Sequence, residues 1–308
     1  MKTTISFFFL LLISGLFVIS CKEEAKKTDT EPQQEDVLKE PIVEIVRKKI
    51  DMNQFPRTRL NLSYTANPSA SQTLDIIYPL VGEAPYRTIV FFHDGLGLSS
   101  DKQSETLAAF YELVNQGYAL IVVNYRLPSD EKWTLPLHDA KAAIRFLREK
   151  SYDYQLDTER MLAWGISNGG YLSLMLGATN KNKNYENLSM GSAKFSSEIQ
   201  GLVSWYPIIQ QPNPIELVTK LFPPGLLIHG SADTIAPFER SVNLAKVINK
   251  KAGGERVQIL LIDGAEHGDT TINNPQSVVR NLNFVDQVIY DEKNPYRNTN
   301  YLTIRLIE

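Results

Sequence analysis

Apolar residues recur along the chain in two rhythms. Arg59-Leu60-Asn61-Leu62-Ser63-Tyr64 and Gln72-Thr73-Leu74-Asp75-Ile76 alternate apolar with polar side chains, the period of a half-buried strand. The turn-forming Ala66-Asn67-Pro68-Ser69 lies between them, so a hairpin is predicted. Farther on the runs become continuous, as in Thr88-Ile89-Val90-Phe91-Phe92, Ala119-Leu120-Ile121-Val122-Val123 and Met161-Leu162-Ala163-Trp164. Residues 201–206, 225–229 and 257–262 repeat that pattern. Continuous runs read as strands covered on both faces, as in a parallel sheet. Helical spacing occupies residues 106–116, 137–150, 171–176, 214–220, 237–251 and 276–290, with Gly117 and Gly253-Gly254 suited to helix ends. A hairpin followed by repeated β–α units predicts a mostly parallel sheet with helices on both faces. Ligands of such a sheet bind at the carboxyl ends of its strands. Residues 301–307 are a candidate extra edge strand.

The first residues follow a different pattern. Lys2 precedes an apolar run over residues 5–19, and Val18-Ile19-Ser20 leads to Cys21, the only cysteine in the chain. The run is too short to span a bilayer comfortably and reads as an export signal. It resembles a bacterial lipoprotein signal, which implies cleavage before Cys21 and acylation of that residue. Residues 1–20 are then the signal peptide, and the protein would be held at the cell envelope, on the periplasmic face or the cell surface. Residues 22–40 are almost all Lys, Glu, Thr, Asp, Gln and Pro and cannot bury enough surface to fold. Residues 21–50 are therefore expected to form a lipid-anchored tether, with one folded domain over 51–308.

Composition narrows the partners. The 308 residues carry a net charge of −3, with 43% hydrophobic and 22% charged residues. This is ordinary globular composition, and it offers no electrostatic reason to expect nucleic acid as a partner.

The chemistry centres on Gly165-Ile166-Ser167-Asn168-Gly169-Gly170, set between a predicted strand and a predicted helix. Gly-x-Ser-x-Gly in that context forms a sharp turn with the serine hydroxyl at its apex. The N–H of Asn168, opening the helix, can donate to an oxyanion. Neither a dinucleotide fingerprint nor a P-loop fits these residues. A serine needs a base, and the base needs an orienting carboxylate. The chain has four histidines. His93 ends a strand before a glycine-containing loop and is expected to shape that loop; His138 lies at a helix start; His229 ends a strand. His267 lies in Asp263-Gly264-Ala265-Glu266-His267-Gly268-Asp269, a loop of small residues after the last core strand, and can swing over Ser167. Asp233 leaves an adjacent strand end and is the expected acid. Asp263 sits too near its own strand end, and Glu266 and Asp269 are expected to stay solvated.

Together with His93-Asp94-Gly95-Leu96-Gly97, Asn124-Tyr125-Arg126-Leu127, Pro136-Leu137-His138-Asp139-Ala140 and His229-Gly230-Ser231-Ala232-Asp233, these residues resemble an α/β-hydrolase. The similarity is to the hormone-sensitive-lipase-like and carbohydrate-esterase (feruloyl or acetylxylan esterase-like) groups and covers residues 55–290. It implies an α/β-hydrolase fold with a minimal cap or none, and a serine carboxylic-ester hydrolase acting through Ser167, His267 and Asp233 on short-acyl or sugar-linked esters. No metal or organic cofactor is implied. Gly95, Leu96 and Asn168 occupy the oxyanion-hole positions, although Asp94 and Leu96 replace two of the usual glycines. Asp94 is expected to brace its loop. Trp205, Pro207, Tyr171 and Trp133 are expected around a flat leaving group. Gly-x-Ser-x-Gly-Gly-Tyr also resembles serine peptidases of the prolyl-oligopeptidase type, whose propeller has no room here; a non-enzymatic binding lipoprotein on the same scaffold is the third reading.

Overall fold

The computed structural model describes residues 48–67, 69–95, 101–127, 133–291, 303 and 305–307, all within the unit Val46–Glu308. The signal peptide and most of the tether lie outside the described residues.

Ten strands occur among the described residues: β1 (Lys49–Ile50), β2 (Thr58–Ser63), β3 (Thr73–Ile77), β4 (Tyr86–Phe92), β5 (Tyr118–Val123), β6 (Leu156–Ile166), β7 (Gly201–Trp205), β8 (Gly225–Gly230), β9 (Val257–Ile262) and β10 (Leu306–Ile307). Eight form one sheet in the order β2-β3-β5-β4-β6-β7-β8-β9. The β2–β3 hairpin and the β3–β5 pair are antiparallel, and every pair from β5 to β9 is parallel. The helices are α1 (Glu112–Asn115), α2 (Thr134–Glu149), α3 (Ser151–Tyr154), α4 (Asn168–Ala178), α5 (Pro214–Leu217), α6 (Phe238–Ala252) and α7 (Pro275–Val285).

The continuous apolar runs are explained by two cores, one on each face. Val90 and Phe92 of β4 point into a cluster with Leu137 and Ile144 of α2, Leu172 and Met175 of α4, and Leu244 and Ile248 of α6. Ile89 and Phe91 of the same strand point into a second cluster with Phe110, Leu113, Val278 and Leu282. Alternate side chains of a central strand thus leave water on opposite faces, and neither face can be polar.

Four elements differ from the sequence-based expectation. Residues 106–116 form a 3₁₀ segment, Glu105–Tyr111, followed only by the single turn α1. Leu107, Phe110 and Leu113 are spaced by three, so the tighter winding keeps all three on the sheet. The helix expected over 214–220 is only α5, capped by Asn213, whose side chain accepts from the Ile215 N–H. The helix over 276–290 becomes a π turn, Asp286–Tyr290, after α7. Both end residues of that wider turn are buried. The expected edge strand is β10, which pairs not with the main sheet but with β1, through Lys49↔Ile307 and Ile50↔Leu306. Lys49 and Ile50 therefore belong to the fold rather than to the tether, because Ile50 is buried in the second core.

Asp139 of α2 ties the β5 exit to the hairpin. Its buried carboxylate accepts from Gln72 Nε2 at 2.8 Å, the Arg126 N–H at 2.8 Å and the Arg126 guanidinium at 2.7 Å. Removing it strands several donors away from water. Asp139→Ala is expected to lower the unfolding free energy by about 3 kcal/mol. Urea unfolding would read this as a lower midpoint at unchanged slope; a loss below about 1 kcal/mol would show that the network is dispensable.

Candidate active site

Strand β6 runs to Ile166, and α4 begins at Asn168, leaving one residue for the turn. That residue, Ser167, has φ +54° and ψ −117°, a conformation L residues seldom adopt. Packing imposes it. A Cβ on Gly165 would lie 2.1 Å from the Gly169 carbonyl oxygen, and one on Gly169 would lie 2.0 Å from that of Phe92. Only glycine permits β6, α4 and β4 to pass so closely. The Ser167 N–H donates to Trp205 O of β7 at 3.0 Å, and its carbonyl accepts from the Tyr171 N–H at 3.0 Å.

The hydroxyl meets the histidine selected by elimination. His267 Nε2 lies 3.0 Å from Ser167 Oγ, and His267 Nδ1 lies 2.7 Å from Asp233 Oδ2. A carboxylate can only accept, so Nδ1 carries the proton and Nε2 is left to accept from the serine. Asp233 Oδ1 accepts the N–H groups of Ile235 at 2.9 Å and Ala236 at 2.7 Å. These bonds order the turn before α6. The competing acids lie elsewhere. Asp263 accepts from the Ser231 hydroxyl, and Asp269 accepts from the N–H and hydroxyl of Thr271, which hold its carboxyl below the usual range.

Of the proposed oxyanion donors, Gly95 packs against Asn168, since a Cβ on Gly95 would stand 3.3 Å from Asn168 Cβ. The Asn168 N–H stands at the N-terminus of α4, where no earlier turn can accept it. Leu96 lies outside the described residues. The loop before Gly95 is anchored through His93. The Tyr125 hydroxyl donates to His93 O at 2.6 Å, the two rings stack at 4.8 Å, and His93 Nδ1 donates to Asp94 O at 2.8 Å. Burial pushes the His93 imidazole down, so it stays neutral. His138 is also depressed by burial.

An apolar cleft opens beside Asn168, walled by Leu127, Trp133, Tyr171, Met175, Gln210 and Gln211. Trp133 and Tyr171 are where the sequence suggested. Trp205 is not: it is fully buried, with its ring 5.6 Å from Trp164 and 4.8 Å from Phe110. It alternates onto the opposite face of β7 and serves the core. Residues passed over in the sequence also enter the site. Tyr206, with φ +35°, sets its ring against His267 edge to face at 4.9 Å. Gln210 Nε2 donates to Asn168 Oδ1 at 2.5 Å. His229 reaches Asp233. The position of Tyr206 and His229 at strand carboxyl ends was their only signal. Among the described residues, no group of three or more His, Cys, Asp or Glu is placed to hold a metal ion.

Comparison with known proteins fits this arrangement. Residues 74–211 match the BD-FAE family model. The chain is 23% identical, over 215 residues, to Esterase LipC of Mycobacterium tuberculosis, an alignment covering 60% of this chain and 53% of that protein. The chain thus spans about half the length of that curated relative. Among solved structures it is similar to a truncated carbohydrate esterase from gut microbiota (TM-score 0.71, 22% identity, 79% of this chain and 100% of that one). It is also similar to a bifunctional GH43-CE protein of Bacteroides eggerthii (TM-score 0.65, 24% identity, 75% of this chain and 38% of that one). Esterase 2 of Thermogutta terrifontis, solved with butyrate bound, matches with a TM-score of 0.62 at 20% identity over 80% of this chain and 97% of that one.

The tight packing at the turn makes a prediction. Gly169→Ala must push α4 away from Phe92 O, and a shift of about 1 Å at a reacting group costs about 10²-fold. The second-order rate of Ser167 labelling by a fluorophosphonate is expected to fall by that factor. An unchanged rate would mean that the turn tolerates the shift.

Proposed function

Since the chain has the α/β-hydrolase fold, we propose that it is a serine carboxylic-ester hydrolase. The observation that carries this reading is the unbroken path Ser167 Oγ, His267 Nε2, His267 Nδ1, Asp233 Oδ2, at 3.0 and 2.7 Å. Ser167 attacks the ester carbonyl while His267 takes its proton; the imidazolium is stabilised by Asp233. The N–H groups of Gly95 and Asn168 receive the charge that develops on the carbonyl oxygen. His267 then gives the proton to the leaving alcohol, and water repeats the sequence on the acyl-enzyme. The esterase relatives favour an ester over a peptide bond.

The substrate is an ester of a short acyl group or of a sugar. Residues 207–224, between β7 and β8, contain only the single turn α5, so they supply no cap. The cleft wall is apolar but is bounded by Gln210 and Gln211. Each methylene buried contributes about 0.8 kcal/mol, and a short wall collects this for only a few carbons. Its structural neighbours include a carbohydrate esterase and an esterase with butyrate bound, which supports each half of the reading. Acylation of Cys21 would anchor the domain at the cell envelope, with the polar tether as spacer.

Ser167→Ala and His267→Ala are each expected to remove nearly all hydrolysis of p-nitrophenyl acetate with the fold retained; wild-type turnover in Ser167→Ala would refute the mechanism. Among p-nitrophenyl esters from acetate to palmitate, the rate should peak below about eight carbons, without a jump at the solubility limit. A long-chain optimum would refute the open cleft. Cys21→Ser should move the protein from the membrane fraction to the soluble fraction with unchanged activity. A wild type that incorporates no radioactive fatty acid would overturn the anchor.

A further inference from the structure

Asp233 Oδ2 has a second donor besides His267. His229, at the end of β8, is fully buried, and its Nε2 lies 3.2 Å from Asp233 Oδ2 and 2.7 Å from the Ala236 carbonyl oxygen. Its Nδ1 lies 2.8 Å from the hydroxyl of Ser241, which is also buried, on α6. Two oxygens that can only accept therefore face Nε2, and one hydroxyl that can donate faces Nδ1. The proton must sit on Nε2, since the other tautomer would aim a lone pair at a carbonyl and a carboxylate.

We propose that His229 is a positioning residue for the orienting carboxylate, with the Ser241 hydroxyl holding its ring through Nδ1. This rests on Asp233 acting as the acid of the site. Asp233 Oδ1 is held by two N–H groups of its own turn, and Oδ2 by the two imidazoles of His267 and His229. The forked Nε2–H of His229 spans Oδ2 and Ala236 O, closing that turn upon itself. With both oxygens fixed, the carboxylate cannot rotate away from His267. The same N–H draws charge from Oδ2, moderating its hold on the imidazolium formed during turnover. Burial keeps the His229 ring neutral, in the form that can donate to Asp233 while accepting from Ser241. The titratable groups that bear on it are Asp233 and His267; Ser241 and Ala236 complete its surroundings and carry no charge. His229 does not line the cleft, so substrate does not meet it.

The test compares wild type, His229→Leu, His229→Gln and Ser241→Ala, using ester turnover and fluorophosphonate labelling of Ser167 from pH 5 to 9. His229→Leu should lower kcat about ten-fold at unchanged KM, the effect of one lost hydrogen bond to a charged group. Without the donor, Oδ2 keeps more negative charge and holds the imidazolium more tightly. The acid limb of the labelling profile should therefore move to higher pH, by about half a unit to one unit. His229→Gln places an N–H near the lost Nε2 and should return both quantities toward wild type. Ser241→Ala removes the bond that holds the ring at Nδ1 and should shift the limb in the same direction by less. If His229→Leu fails to fold, the Ser241→Ala shift still decides. A wild type that takes no label overturns the hydrolase reading and this one with it. Labelled wild type with superimposable profiles in the variants overturns the role of His229 alone.

Discussion

At the carboxyl end of the sheet, the backbones of β4, β6 and α4 approach too closely for side chains to stand between them. Carbonyl oxygens of Phe92 and Gly169 occupy the space that Cβ atoms on Gly169 and Gly165 would need. Ser173 and Ser204 then donate their hydroxyls to the Gly169 and Gly170 carbonyls at 3.0 Å each, fastening the first turn of α4. With strand and helix clamped this way, one residue must make the connection, and Ser167 takes a positive φ to do so. The strain, of the order of 1–3 kcal/mol, persists because the apolar cores on both faces hold the strands in place. The serine hydroxyl at the apex of the turn, the Asn168 N–H at a helix start and the neighbouring Gly95 all follow from that approach.

The buried polar groups impose the second requirement. Asp233 and Asp139 are carboxylates removed from water, tolerable only when their oxygens are fully partnered. Asp233 gathers two N–H groups from its own turn and two imidazole N–H groups; Asp139 gathers Gln72 and Arg126. The first network orients the candidate base, and the second holds the β5 exit segment, whose Leu127 walls the cleft. Glu266 and Asp269, beside His267 in sequence, face solvent and shape only their loop.

Much of the fold was legible because burial leaves a plain mark on composition. Strands covered on both faces seldom carry charge, so β4, β5, β7 and β8 appear as mainly apolar runs; β9 has the same composition but lies at the sheet edge with Leu260 and Leu261 exposed. The hairpin alternates in sequence, but β3 lies inside the sheet and is buried on both faces, Asp75 included, while the edge strand β2 is the exposed member. The winding of residues 105–115 and 286–290 was less legible, since Leu107, Phe110 and Leu113 suit either a 3₁₀ or an α period. Trp205 was misjudged for the same kind of reason: one register step decides whether an aromatic residue at a strand end faces the site or the core.

By itself the sequence determined the order of elements, the strand–serine–helix junction and the short list of partners from which His267 and Asp233 were drawn. These follow from local rules: period of burial, glycine at a crowded turn, few histidines to choose among. The tertiary structure alone decided which of those groups meet. Ser167 and His267 are 100 residues apart, and Asp233 and His267 are 34 apart. Their hydrogen bonds depend on where β6, β8 and β9 end relative to one another, a matter of sheet register and core packing. Tyr206 against His267, and His229 behind Asp233, arise from that same register. Neither contact leaves a trace in the spacing of residues along the chain, because a hydrogen bond or a ring contact is settled by a few tenths of an ångström in space.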